Sequence, residues 1–135
     1  FRSPFLRALQ RAPFLPLPRE CRGSAQFIHE DDAARLAVLL TKTRARGTFN
    51  AAHEGTLDWR SVYARIGKPI VSLPGWLLDQ VLQAAWRLKM LPILPVQMRL
   101  ISCPVVLCGE RARRLLGFIP CYSTATALDS VLLKR

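Results

Sequence analysis

The chain has 135 residues, half of them hydrophobic and 21% charged, which suits one small folded domain and excludes a disordered tail. Its net charge of +11 comes mainly from 16 arginines against 4 lysines, but the basic residues are scattered and no aromatics interleave with them, so no nucleic-acid partner is expected. Its uncharged stretches fall short of the roughly 18 residues a transmembrane helix needs, and four irregularly spaced cysteines (Cys21, Cys103, Cys108 and Cys121) make neither a disulfide scaffold nor a four-ligand zinc site.

Residues 1–12 carry Phe5, Leu6 and Leu9 between arginines, a weakly amphipathic helix. Pro13, Pro16 and Pro18 stop it and leave 14–17 as a short edge strand. A turn over 20–24 leads to a short strand at 25–28. The next helix has Glu30, Asp31 and Asp32 at its amino end and Lys42, Arg44 and Arg46 at or beyond its carboxy end, charges that suit the macrodipole. The two aspartates fit a capping role better than an acid/base pair. Ala33, Leu36, Ala37, Leu39 and Leu40 form its buried stripe, Gly47 stops it, and 48–52 reads as a strand.

Asp58 is expected to cap a third helix whose inner face is Trp59, Val62, Tyr63 and Ile66, ended by Gly67 and Pro69. A strand follows at 70–73. A longer helix over 76–90 should bury Leu77, Leu78, Val81, Leu82, Ala85 and Leu88 and expose Asp79, Gln83 and Arg87. The phasing of Trp59, Trp76 and Trp86 favours core or interdomain packing over a pocket lining. Prolines then allow a short helix near 96–101 and an extended 105–107. Glu110 to Leu116 forms a compact helix closed by Gly117, and Ser123 caps a last helix carrying Leu128, Val131 and Leu132. Short strands alternating with helices give an α/β, or α+β-like, helix-rich lobe with too few strands for a doubly wound sheet. The whole chain, 1–135, reads as a single lobe, with 1–24 an irregular lead-in to 25–135.

Three segments in this order resemble the extended short-chain dehydrogenase/reductase family, the NAD-dependent epimerases and dehydratases of nucleotide sugars. Gln26-Phe27-Ile28-His29-Glu30-Asp31-Asp32-Ala33-Ala34 is similar to its aromatic-hydrophobic-His-Val-x-Asp-hydrophobic-Ala segment. Gly47-Thr48-Phe49-Asn50-Ala51-Ala52 is similar to its Gly-x-Phe/Tyr-Asn-hydrophobic-Gly/Ala strand. Glu110 to Pro120, read as Glu-Arg-Ala-Arg-Arg-Leu-Leu-Gly-Phe-Ile-Pro, is similar to its Lys/Arg-Ala-x-x-x-Leu-Gly-aromatic-x-Pro segment.

The resemblance implies a carboxy-terminal substrate-binding lobe that normally packs on an amino-terminal Rossmann domain holding NAD or NADP. That domain carries a glycine-rich turn and a Tyr-x-x-x-Lys pair. Neither motif is present in this chain: its glycines lie eight or more residues apart, Tyr63 precedes Lys68 by five, and Thr126 stands four after Tyr122. The chain begins with Phe1 rather than Met, as expected of a fragment. It is expected to bind no cofactor and to hold no catalytic residue itself. Its partners would be the missing domain and a small-molecule substrate in a reducing bacterial cytoplasm, with the cysteines buried or half-buried thiols; a homodimer is left open.

Substrate contacts are expected from Gln26, His29, His53, Arg99, Arg111 and Arg113. The arginines offer planar forks to anionic groups, and His53 with Glu54 lies in a loop that could face substrate. His29, at a strand–helix junction, fits a structural histidine better than a general base. Where many family members carry an arginine for the diphosphate, this chain has Ala25 beside Gln26. Cys108-Gly109 replaces the family's acid ahead of the Lys/Arg-Ala helix. Both departures favour a phosphate-poor substrate or a member without turnover. The alternative class is a non-catalytic module whose basic surface and apolar 70–108 region dock on a partner or an anionic membrane.

Overall fold

In the computed structural model, which describes residues 9–90, 101 and 103–133, the first strand is shaped by its prolines. Strand β1 (Leu15–Pro18) pairs in parallel with β4 (Ile70–Leu73), Leu15 opposite Ile70 and Pro18 opposite Leu73. The amides of Leu15 and Arg19 donate to the Pro69 and Leu73 carbonyls at 2.8 and 2.9 Å. Pro16 and Pro18 alternate with these donors, so their missing N–H groups fall on the side away from β4. Leu15 and Leu17 point the other way from the prolines and are fully buried.

The remaining elements follow as β2 (Ser24–Ala25), helix α1 (Glu30–Thr43), β3 (Leu57–Asp58) paired with β2, α2 (Trp59–Ile66), then β4, α3 (Gly75–Arg87), α4 (Glu110–Leu116) and α5 (Thr124–Leu133). The chain is thus mixed helix and strand, with two small sheets among the described residues. Its contacts divide into two compact units. The first comprises Phe1–Ala25 with Asp58–Val105, and the second Gln26–Leu57 with Val106–Arg135.

In the first unit, Asp58 caps α2 as expected, accepting from the Ser61 amide at 3.0 Å and from the Ser61 hydroxyl at 2.6 Å. Trp59, Val62, Tyr63 and Ile66 are all buried, and Gly67 (φ 74°) turns left-handed to end the helix. The Tyr63 hydroxyl donates to the Pro16 carbonyl at 3.2 Å, which ties α2 to β1. Helix α3 lacks a capping side chain of its own at Pro74. Glu20 supplies one from a distance, its carboxylate accepting from the Gly75 amide at 3.1 Å.

Helix α3 differs from the sequence reading in length and phase. It ends at Arg87, and only Leu78 and Leu82 are buried, while Val81 and Leu88 are exposed. Trp76 and Trp86 are exposed as well, and Trp59 alone of the three tryptophans lies in the core. The helix stops because Lys89 adopts φ 55°, letting its amide bond the Trp86 carbonyl and that of Met90 bond the Ala85 carbonyl. These two bonds are those of a Schellman motif, with lysine where glycine is usual.

The second unit packs Leu36 of α1 against Ala112 of α4 and Phe118, with Leu39, Leu40, Phe49, Ala51 and Leu116 around them. Two expected strands are corrected here. Residues 26–28 and 48–52 form no strand, because side-chain amides take over the bonds a ladder would make. Gln26 accepts from the Leu107 amide at 2.8 Å and donates to the Leu107 carbonyl at 3.0 Å, and Asn50 donates to the Cys108 carbonyl at 3.0 Å. Ser123 caps α5 as expected, its hydroxyl accepting from the Thr126 amide at 3.1 Å.

All four cysteines are free, and Cys103, Cys108 and Cys121 are exposed rather than buried. The helix expected over 1–12 lies mostly outside the described residues, and the one over 96–101 almost wholly so.

Gly23 is the most crowded of the first unit's glycines. A Cβ there would stand 1.9 Å from the Ile101 carbonyl oxygen. Gly23→Ala is expected to destabilise the protein by about 3 kcal/mol, because a backbone carbonyl cannot swing aside as a side chain can. The shift of the urea midpoint measures this; an unchanged midpoint would contradict the packing.

Candidate functional site

The candidate site is a pocket of about 160 Å³ in the second unit. One side is Ala52, the last residue of the second resembling segment, with His53 and Glu54 of the loop that follows it. Arg113 of α4 and Gly109 stand beside it, and Phe118, Ile119 and Pro120 form an apolar wall. The loop is held at both ends. Gln26 donates to the His53 carbonyl, and the buried Thr124 hydroxyl donates to the Gly55 carbonyl. The His53 Nδ1 accepts from the Gly55 amide at 2.9 Å, so in the neutral ring the proton resides on Nε2.

Arg113 pairs with Glu54 at 3.0 Å, and both side chains are more than half exposed. Exposed pairs of this kind contribute little to stability, so a ligand can exchange with either partner. Gly109 admits the close approach of the two chain segments. A Cβ at that position would lie 2.6 Å from the Ala52 carbonyl oxygen.

The apolar wall is fixed from α1. Gly117 (φ 63°) lets the chain reverse, and the Phe118 amide bonds the Ala112 carbonyl at 3.3 Å as its ring enters the core. Beyond Pro120 the chain is held by Asp32, a fully buried carboxylate. It accepts from the Cys121 amide at 2.9 Å, the Tyr122 amide at 3.0 Å and Arg35 Nη1 at 2.8 Å. Burial works against its charge, but the two backbone bonds and Arg35 together outweigh burial and hold the carboxyl below its ordinary value. The expectation that Asp31 and Asp32 cap α1 is therefore corrected. The cap is His29, whose Nδ1 accepts from the Asp31 amide at 3.2 Å and whose ring stacks on Tyr122 at 4.0 Å between centroids.

Of the residues expected to touch substrate, His53 and Arg113 line the pocket. Both amide hydrogens of Gln26 go to backbone carbonyls, those of His53 and Leu107. His29 is buried as cap and stacking partner. The Arg111 guanidinium lies 5.1 Å from the centre of the Phe49 ring. Arg99 lies outside the described residues. The wall from Phe118 to Pro120 and the Asp32 clamp escaped the sequence reading. One signal for Asp32 was available: it stands four residues before Leu36, in phase with the buried stripe.

Tyr63 and Lys68 do not form the Tyr-x-x-x-Lys arrangement: the Tyr63 hydroxyl donates to the Pro16 carbonyl, burial pushes its phenol above the ordinary value with Cys21 adding to the effect, and Lys68 lies beyond the end of α2. Among the described residues no cluster of His, Cys, Asp or Glu could hold a metal ion, and no helix is long and apolar enough to cross a membrane. Comparison with protein-family models, curated proteins and solved structures finds no match for the chain.

Asp32→Ala is expected to cost about 3 kcal/mol, since it strands two backbone donors and an arginine. Because the folded carboxyl titrates below the unfolded value of 3.8, the unfolded chain takes up this proton first. The contribution is therefore full above about pH 5 and is lost as pH falls below 4. Urea unfolding of wild type and Asp32→Asn across that range checks it; a stability difference that does not shrink in acid would exclude the charged clamp.

Proposed function

We propose that this chain is the substrate-binding portion of an NAD(P)-dependent epimerase/dehydratase-like oxidoreductase of the extended short-chain dehydrogenase/reductase type. It would pack in the cytoplasm on a Rossmann domain and act on a sugar or sugar-nucleotide-like substrate. The observation that carries the reading is a convergence: the three resembling segments, spread from Gln26 to Pro120, fall in one compact unit. The pocket lining comes largely from the second and third of them, Ala52 and then Arg113 with Phe118 to Pro120.

The chemistry of the lining suits such a substrate. An apolar wall can take the C–H face of a sugar ring, while the His53 Nε2–H, the Glu54 carboxylate and the Arg113 guanidinium offer donors and acceptors to its hydroxyls. NAD or NADP, bound by the Rossmann domain, would supply the hydride chemistry. The role of this chain would be to bind and orient the substrate.

Two measurements test the reading. The coding sequence upstream of Phe1 is expected to contain a glycine-rich strand–turn–helix and a Tyr-x-x-x-Lys motif. In the intact enzyme, Arg113→Ala should raise KM about tenfold with kcat little changed, the pattern of lost uniform binding. An upstream region without a nucleotide-binding half, or micromolar binding of NADH to the 135-residue chain alone, would defeat the assignment.

A further inference from the structure

We propose that the first unit seats on an anionic lipid surface through the exposed end of α3, an interaction separate from the pocket of the second unit. At the end of this helix apolar and basic side chains alternate in sequence, Trp86, Arg87, Leu88, Lys89 and Met90, and all five are exposed. Leu88 and Met90 are each 71% exposed, and Trp86 beside them is 39% exposed. Large apolar groups so far from the core gain nothing from the fold itself. Val81, also exposed, lies seven residues before Leu88 and shares its side of the helix.

The composition of this surface distinguishes a bilayer from a protein partner. Cores of protein interfaces are depleted in lysine, whereas interfacial membrane helices combine Trp and Leu with Lys and Arg. Charge points the same way. By sequence the first unit carries eleven basic residues against Glu20, Asp58 and Asp79, a net +8 of the total +11. The cytoplasmic face of a membrane is negative and attracts such a unit. A nucleic acid would use the same charge but not Leu88 and Met90.

The test is co-sedimentation of the full 135-residue chain with vesicles of phosphatidylserine and, separately, of phosphatidylcholine. Binding to phosphatidylserine is expected to be at least tenfold stronger, to weaken as salt is raised, and to shift tryptophan emission to the blue. Trp86→Phe should reduce that shift. Arg87→Gln with Lys89→Gln should weaken binding about thirtyfold, since each basic group at such a surface contributes roughly a factor of five. Trp86→Ser with Leu88→Ser should weaken it about tenfold or more. Should the serine pair fail to fold, the glutamine pair, which leaves every apolar group in place, still decides. Val38→Ser, on an exposed position of α1, should change nothing. Equal binding to both lipids, no binding to either, or an equal loss in Val38→Ser would overturn the proposal. So would self-association that buries Trp86 without vesicle binding, which would assign the surface to a protein.

Discussion

With Asp32 buried and ionised, its oxygens take the amides of Cys121 and Tyr122, and the position of the pocket's apolar wall follows from that grip. The wall is only three residues long and belongs to no helix or strand. It is held at its start by Phe118 in the core and at its end by the carboxylate. A neutral side chain of the same size could not compensate two backbone donors and a guanidinium together. Tyr122, fixed by its amide, then stacks on His29, so the start of α1 and the chain after Pro120 brace each other through two contacts of different kinds. One favours charge and the other flat surfaces, and neither depends on a long element being nearby.

The opposite side of the pocket is built by the same economy of regular structure. The loop from Ala52 to Glu54 has no strand beside it, yet Gln26 and Thr124 hold its carbonyls and His53 folds back on the Gly55 amide. The polar side chains that line the cavity are His53 and the Glu54–Arg113 pair. A site of this kind is prearranged in its backbone and adaptable in its charged tips, which suits recognition of a small hydroxyl-bearing molecule.

Local signals were legible wherever one residue type has one physical use. Asp58 ahead of an apolar-periodic run, Gly67 and Gly117 at helix ends, and the charges around α1 all led to elements that the structure contains. Periodicity failed on α3 because Leu77, Leu78, Val81, Leu82, Ala85 and Leu88 cover more of the helix than one neighbour can bury. Pattern alone cannot say which of them face outward. Of the strands expected at 25–28 and 48–52 only Ala25 lies in one, β2, because apolar alternation says nothing about whether a ladder or a glutamine satisfies the backbone. The parallel pairing of Leu15 with Ile70, and the meeting of Asp32 with Tyr122, join residues 55 and 90 positions apart. No local pattern encodes such a choice of partner. The pocket was half legible: His53 and Arg113 were candidates from their chemistry, while Phe118 to Pro120 read only as the tail of a family-like segment and not as a wall.

The prolines of β1 carry a consequence for the protein in a crowded solution. A two-stranded sheet has an open rim, and a bare strand rim is a template on which another chain can add itself. On the outer side of β1 the positions that would donate are Pro16 and Pro18, which have no hydrogen to give. The carbonyls of Pro16 and Pro18 on that side already accept from the Tyr63 hydroxyl and the Cys21 amide, so an incoming strand would find neither a donor nor a free acceptor there. The rim is thereby closed to β-type polymerisation by two residues whose rings also stiffen the strand they protect.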